Sequence, residues 1–595
     1  MQRRSLLKAA AALPLAALAP ALGARVVPPV SRVRPQDPQW PDAASWQQLN
    51  AEVGGSLSAV QPLFAACAQD AAEGACRATL ASISNPFYLG DEAAGTQVSG
   101  YFEAWRCAPS AYVVRARGTA DVVAAVNFAR RRNLRLVVKG GGHSYLGTSS
   151  AADSLLIWTR GMNDIALESA FVPAGCAGQV APSTAVTVGA AAMWIDGYHA
   201  DTSRAGRYVQ GGGCTTVGVA GLIQSGGFGS FSKRYGSAAA SLLEAEVVTA
   251  DGSLRTVNAC RDPELFWALK GGGGGSFGVV TRLTLRTHEL PEYFGAAWGS
   301  IHADSDASYI ALIERFLGFY AERLANPHWG EQFAVRPDNV LRLSLVSAGL
   351  NREESRALWE PFFSWVRSRS EYQESDALGA GAKLARTWWD IEGNHNMVPD
   401  PRAGAPAGHG FWEGDQDQVG AFLYGYESLW LPAALLAGES RAQLARTLFA
   451  ASRHKEVGLH CNKGLAFAPA AAISAALDTA MNPQVTRAFA LAIIADGAGP
   501  AYPGQPRAVV DEAAARADAQ AIARATAELR KVAPGAGAYL SESSYFGADW
   551  RQQYWGAHYA RLAAVKKRYD PEGLFFVHHG VGSEAWSADG FTRVG

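Results

Sequence analysis

Three glycine-rich runs fall between residues 140 and 278, and they constrain this chain more than any other feature. The first, Lys139-Gly140-Gly141-Gly142-His143-Ser144-Tyr145, follows Arg135-Leu136-Val137-Val138, which reads as a buried strand. Its glycines let the backbone turn and approach a ligand closely, leaving N–H groups free to hold phosphate oxygens. The second, Gly211-Gly212-Gly213-Cys214-Thr215-Thr216-Val217-Gly218, carries a lone cysteine. The third runs from Gly271 to Gly275 and continues as Ser276-Phe277-Gly278-Val279-Val280. Three such loops in one region imply a large phosphate-bearing cofactor laid along backbone, with His143 and Cys214 beside it.

The 595 residues are too many for one ordinary core, so two or more domains are expected. An apolar share of 48% and a charged share of 18% fit a globular protein. A net charge of −1 gives no electrostatic footprint for nucleic acid. At the N-terminus, Gln2-Arg3-Arg4-Ser5-Leu6-Leu7-Lys8 precedes an apolar run from Ala9 to Leu22 and the small pair Gly23-Ala24. This reads as a twin-arginine signal peptide; an ordinary secretory signal with adjacent arginines is the alternative. Export to the periplasm or beyond follows from either. The run is too short and alanine-rich for a good membrane span, and no later stretch has eighteen uninterrupted apolar residues. A soluble, monomeric mature protein is expected, folded around its cofactor before export.

Seven cysteines in an oxidising compartment leave one unpaired. The other six allow up to three bridges, and the sequence leaves their pairing open. Cys67 and Cys76 are the nearest pair and flank an alanine-rich segment that reads as helical.

Along the chain, residues 25 to about 40 read as an extended linker and Ser45 to Asn85 as mostly helical. Ala111–Ala116, Leu134–Val138, Ser154–Trp158, Ala185–Val188, Leu243–Thr249 and Val279–Leu285 read as strands. Thr119-Ala120-Asp121 reads as the cap of a helix running through Arg132. This is an α+β region. From about 292 to 535, helical stretches such as Ser308–Leu324 and Arg352–Ser368 alternate with strands such as Val340–Val346 and Phe489–Ile494, giving a second α+β unit. Near the end, Trp550 to Tyr569 reads as one helix.

These motifs together closely resemble the berberine bridge enzyme-like branch of the vanillyl-alcohol oxidase flavoprotein family. So does Tyr554-Trp555-Gly556-Ala557-His558-Tyr559-Ala560-Arg561-Leu562 with Lys567-Arg568-Tyr569-Asp570-Pro571. The resemblance spans roughly 85 to 595. It implies a two-part PCMH-type FAD-binding domain with an inserted α+β substrate domain, whose antiparallel sheet covers the isoalloxazine ring. The implied division is a signal at 1–24, an N-terminal extension at 25–104, the flavin domain at 105–291, the substrate domain at 292–535, and a completing segment at 536–595. It further implies FAD bound bicovalently, His143 to the 8α carbon and Cys214 to C6. Lys139, Gly140, Gly141, Gly142, Ser144, Gly212, Gly213, Thr216, Val217, Gly218, Gly221, Gly226, Gly227, Gly278 and Val279 complete the implied cofactor set. Two departures stand out: His558 replaces the Asn of a Gly-x-Asn-Tyr pattern, and His578-His579-Gly580 replaces Gln-Ser-Ile. Adjacent histidines on an extended chain point opposite ways and lack partner spacing, so no metal is expected.

The implied reaction is hydride transfer from a substrate C–H to the flavin, with a base taking the proton of an adjacent O–H. Oxygen is the implied acceptor and hydrogen peroxide the product. The segment Gly537–Glu542 resembles the family strand carrying catalytic groups, which nominates Tyr539 and Glu542, with Lys463 as a weaker polar candidate. Val217, three residues after Cys214, matches the position that controls oxygen access. Trp388, Trp389, Tyr424 and Tyr426 could line a sugar or phenol pocket. A dehydrogenase serving a quinone or cytochrome, and a flavin-bearing binding protein without turnover, are the competing readings. No Gly-x-Gly-x-x-Gly with a downstream acid supports a nicotinamide cofactor.

Overall fold

The computed structural model describes residues 31–69 and 74–594, so the signal peptide lies outside the described residues. Apolar, β-branched runs build the first layer. Tyr112–Arg115, Ser154–Trp158 and Arg135–Lys139 form a parallel sheet. Leu57–Ala59 is added antiparallel at its edge. Strands of this kind are buried on both faces, and Ser154–Trp158 is buried at every position. The helix Thr119–Arg132 seals one face with Val122, Ala125, Val126 and Ala129, and ends at Asn133 in the left-handed region. Its cap is Gly118, which has no side chain to bond, and Asp121 accepts from the backbone N–H of Arg117 just before it.

The second layer is a six-stranded antiparallel sheet. Its order is Leu254–Asn258, Leu242–Val248, Val279–Glu289, Ser183–Gly189 and Ile165–Phe171, with Arg207–Val209 pairing the far end of Val279–Glu289. The C-terminal segment packs into the same core: Trp555, Leu562 and Val565 join Leu265, Trp267 and Phe277. Lys566 fixes it there. Its buried ammonium donates to Asp570 Oδ2 and to the carbonyls of Ser276 and Phe575. The stretch read as one helix over Trp550–Tyr569 is two, Trp550–Tyr554 and Tyr559–Tyr569. Gly556, at φ +54, breaks it with a conformation open to glycine.

The third layer is a nine-stranded sheet containing Tyr372–Leu384, Tyr293–Ala303, Val340–Ala348, Trp329–Val335, Val457–His460, Ala488–Ala498 and Gly420–Pro432 in that order. Side chains alternate. Leu341, Leu343 and Leu345 face a helical layer that includes Asp306–Phe319, Arg352–Arg367 and Gly438–Ser452, while Arg342 and Ser344 face the other way. That other face looks at the glycine loops. Strands from the described part of residues 25–104 enter two of these sheets. Leu57–Ala59 lies in the first sheet, and Val98–Tyr101 and Trp105–Arg106 complete the third, Val98–Tyr101 running parallel to Gly420–Pro432.

Cys67 and Cys76 are bridged, and Cys176 is bridged to Cys260. The second bridge spans 84 residues. Closing so long a loop in the unfolded chain is worth on the order of 4 kcal/mol. Cys107, Cys214 and Cys461 carry free thiols, so two of the three possible bridges form. Among the described residues no helix is long and apolar enough to cross a membrane.

Candidate active site

A cavity of ≈ 1210 Å³ lies between the glycine loops and the free face of the nine-stranded sheet. The first loop leaves its strand through Gly142, at φ +77. A Cβ on Gly141 would come within 3.0 Å of Gly218 N and Thr216 O, so the first two loops meet backbone to backbone and a side chain there would crowd both. This contact brings His143 beside Thr216, Nε2 to Oγ1 at 3.1 Å. Burial pushes the His143 imidazole down to about 4, so it is neutral at ordinary pH.

Cys214 is supported by a segment about 200 residues downstream. The short hairpin Met397–Pro399 with Gly410–Trp412 leads into the 3₁₀ turn Glu413–Gln418. Trp412 Nε1 donates to Gly213 O at 3.0 Å, and Cys214 Sγ donates to Asp415 Oδ1 at 3.6 Å. The Asp415 charge, then burial, holds the thiol well above its usual range. Burial pushes Asp415 itself up to about 6. Tyr198 braces the loop, donating to Gly212 O at 2.6 Å while stacked on Trp389 at 4.0 Å.

The same cavity wall holds a polar cluster. Lys463 and Glu542 form an ion pair, and Tyr145, Tyr426 and Tyr539 surround it in the cavity wall. Burial first, and the Glu542 charge second, push all three phenols above their ordinary value. They are therefore neutral hydrogen-bonding groups at ordinary pH. Glu331, at φ +59, turns out of its strand into the same wall and accepts from Ser230. Burial raises its pKa. The segment carrying Tyr539 and Glu542 is a tight turn, with Glu542 N donating to Tyr539 O at 2.9 Å. It is tied to the strand Gly420–Pro432 through Trp430 N donating to Gly537 O and Tyr539 N donating to Ser428 Oγ.

Gly140, Gly141, Gly142, Ser144, Gly212, Gly213, Val217, Gly218, Gly221 and Gly278 line the cavity with His143 and Cys214. Five residues of the implied cofactor set do not line it, and of these Thr216 is the hydrogen-bond partner of His143. The Lys139 ammonium points away and donates to the carbonyls of Glu92, Ala93 and Gly95. Gly226 and Gly227 serve packing, since a Cβ there would meet Met481 and Leu222. Val279 is buried against the first helix. Tyr424 is separated from Trp388, Trp389 and Tyr426 and packs near Phe422 and Phe102. His578 and His579 do not point apart. His579 sits at φ +53, which brings the two rings into a stack at 3.9 Å, with Tyr545 on His578 at 3.7 Å. Among the described residues no group of His, Cys, Asp and Glu could hold a metal. Asp415 and Glu331 carry no sequence signal, because each faces the site only through a contact made across more than 100 residues.

The cavity suits a long ligand with polar and planar parts. A Cβ on Gly213 or Gly221 would meet nothing within 4 Å, so backbone is open to the cavity there. Gln224 Oε1 and His579 Nδ1 are buried at its wall without partners among the protein atoms. Residues 109–258 match the family model "FAD binding domain" and residues 525–582 the model "Berberine and berberine like". The chain is 30% identical over 593 residues to the FAD-linked oxidoreductase malF of Malbranchea aurantiaca, covering 95% of this chain and 94% of that one. The solved VAO-type flavoprotein MtVAO615 from Myceliophthora thermophila C1 superposes with a TM-score of 0.76 at 27% identity, over 95% of this chain and 100% of that one. Glucooligosaccharide oxidase from Acremonium strictum, whose structure is described as carrying a 6-S-cysteinyl, 8α-N1-histidyl FAD, shares the fold with a TM-score of 0.63 at 17% identity, over 90% of this chain and 99% of that one.

Proposed function

The chain belongs to the VAO-type, berberine bridge enzyme-like family of FAD-linked oxidoreductases, and within it we propose an exported oxidase that holds FAD through both His143 and Cys214. The observation that carries the proposal is the convergence of two nucleophiles from two touching loops on one cavity wall. Bound FAD would supply the hydride acceptor for a substrate C–H, with oxygen as the final acceptor and hydrogen peroxide as the product. The residues do the rest. Neutral His143 keeps Nδ1 for bonding while Thr216 engages Nε2. Glu542 is the group for taking the substrate hydroxyl proton. The three phenols around it remain protonated and orient the substrate as donors, and Lys463 fixes the carboxylate. Val217, at the rim beside Cys214, leaves room for oxygen.

Substrates of this reading are alcohols, carbohydrates or phenolics bearing an oxidisable C–H. A screen of these classes, read by peroxide release and oxygen uptake, tests it. Stoichiometric peroxide with at least one class supports the oxidase. Flavin reduction without peroxide, relieved by a quinone or cytochrome acceptor, supports a dehydrogenase instead, and absence of flavin reduction with every class supports a binding protein. The paired arginines support export with the cofactor already in place, since the twin-arginine route carries folded proteins.

A further inference from the structure

The hairpin that carries Trp412 and Asp415 is fastened where its connecting loop begins and ends. Asp400 N donates to His409 O at 3.0 Å across that loop. Asp400 accepts from Asn85 Nδ2 at 2.9 Å, and Arg402 joins it to Asp91. His409 does more. Its Nε2 meets Asp196 Oδ1 at 2.9 Å, and its ring stacks on Phe87 at 4.7 Å with 8° between the planes. The other oxygen of Asp196 accepts from Met193 N at 2.9 Å. One carboxylate is therefore shared between the hairpin and the first turn of the short helix Trp194–Gly197. That turn in turn holds the Cys214 loop, with Trp194 N donating to Val217 O and Ile195 N to Thr215 O. The hairpin lies close on the same element, since a Cβ on Gly408 would come within 2.9 Å of the His199 ring. The His409 and Asp196 side chains are only 12% and 18% exposed, so water and salt screen their contact little.

We propose that His409 and Asp196 are positioning residues for the sulfur attachment: their contact sets the hairpin against the Cys214 loop so that Asp415 meets the thiol. The inference rests on the bicovalent reading for what the contact serves. In that attachment one S–C bond replaces the S–H bond and one ring C–H bond. The two protons and two electrons released leave to oxygen as hydrogen peroxide. Two observations carry the inference. First, Trp412 and Asp415 follow His409 directly through the strand Gly410–Trp412 and the turn Glu413–Gln418, so a displacement at His409 passes to both. These are the groups that bond Gly213 O and Cys214 Sγ. Second, the other attachment point is held without the hairpin. His143 is bonded to Thr216, and its loop rests on Gly218 backbone. Loosening the hairpin therefore affects one attachment and spares the other, which a general loss of stability does not do.

The test takes two readings on the full-length chain prepared without flavin. In the first, alkylation of Cys214 by iodoacetamide is followed against pH by peptide mass. The Asp415 charge holds the thiol above its usual range, so Asp415→Asn should move the alkylation midpoint to lower pH. His409→Ala should move it the same way. Lys463 and Glu542 also face the thiol and are untouched by either change. In the second reading FAD is added, and flavin bound through sulfur is followed in the His143→Ala background and through His143 in the Cys214→Ala background. His409→Ala should slow the first by about tenfold or more, the scale of one hydrogen bond to a charged group, and leave the second unchanged. His409→Gln, whose amide N–H can still donate to Asp196, should restore both readings and excludes misfolding as the cause. Added to Asp415→Asn, His409→Ala should cost no further rate beyond about twofold, because the two act through one contact. Equal slowing of the two attachments, additive effects of the two substitutions, or an alkylation midpoint that His409→Ala leaves in place overturns the positioning role. Absence of sulfur-bound flavin in His143→Ala itself overturns the bicovalent reading and with it the purpose given to the pair. The alkylation midpoint separately decides whether His409 places Asp415 at the thiol.

Discussion

The Cys214 thiol donates to the Asp415 carboxylate at 3.6 Å, joining residues 201 positions apart in the sequence. A thiol held above its ordinary pKa is a poor nucleophile until its proton has somewhere to go. Asp415 is the only carboxylate hydrogen-bonded to it among the described residues, so under the proposed attachment Asp415 would be the group that takes the thiol proton.

Two attachments are expected. Denatured wild type should keep its yellow colour. His143→Ala and Cys214→Ala should each retain flavin on denaturing gels, and the double variant should release it. Complete release from either single variant would show that only one bond forms.

The two attachments should differ in pH dependence. Burial lowers His143 to about 4, so its imidazole stays neutral from pH 5 to 8 and attachment in Cys214→Ala should be flat across that range. Asp415 is raised to about 6 and accepts a proton only when ionised, so attachment in His143→Ala should rise with pH through about 6. Asp415→Asn in the His143→Ala background should slow attachment by about 100-fold, the low end of general-base effects, and flatten the profile. The measurement is the flavin-bearing fraction by intact mass against time of incubating apoprotein with FAD. A flat profile in His143→Ala would remove Asp415 from this role.

Glu542→Gln should lower the rate of flavin reduction by about 10² to 10⁴-fold, the range for loss of a positioned base. Reoxidation of the reduced flavin should be unchanged, because the carboxylate acts on the substrate hydroxyl. Anaerobic stopped-flow separates the two steps. An unchanged reduction rate would move the base to another residue, Tyr539 first.

Much of the cofactor wall was legible because it is local. Glycines flanking His143 and Cys214 dictate sharp turns and close approach, and the sequence states them outright. Lys139 lies in the same motif yet points away, because the strand's alternation sends it to the opposite face from the cavity, toward three carbonyls near residue 94. Asp415 and Glu331 were not legible as site residues. Each is set by a tertiary contact or a sheet register, and Glu331 enters only through a positive φ that turns it out of its strand. For Gly537–Glu542 the family resemblance implies a strand, whereas the segment forms a tight turn docked beside Ser428 and Trp430.

Export should depend on the paired arginines. Arg3→Lys with Arg4→Lys should leave flavin-loaded precursor inside the cell, measured by fractionation and in-gel fluorescence. Normal export of that double variant would favour an ordinary secretory route.

Oxygen access should depend on Val217. Val217→Leu should slow reoxidation by about tenfold or more, equivalent to roughly 1.4 kcal/mol of barrier, and spare reduction by substrate. Equal reoxidation in the two proteins would remove this residue from oxygen control.

The oxidase assignment is tested most directly by the reoxidation itself. The purified enzyme is photoreduced without oxygen and then mixed with air-saturated buffer, with flavin absorbance and peroxide followed together. The flavin should return to its oxidised spectrum within about a second, as turnover at ordinary enzyme rates of ~1–10³ s⁻¹ requires, with one peroxide formed per flavin. Flavin that stays reduced for minutes in oxygen but reoxidises at once with a quinone would contradict the account.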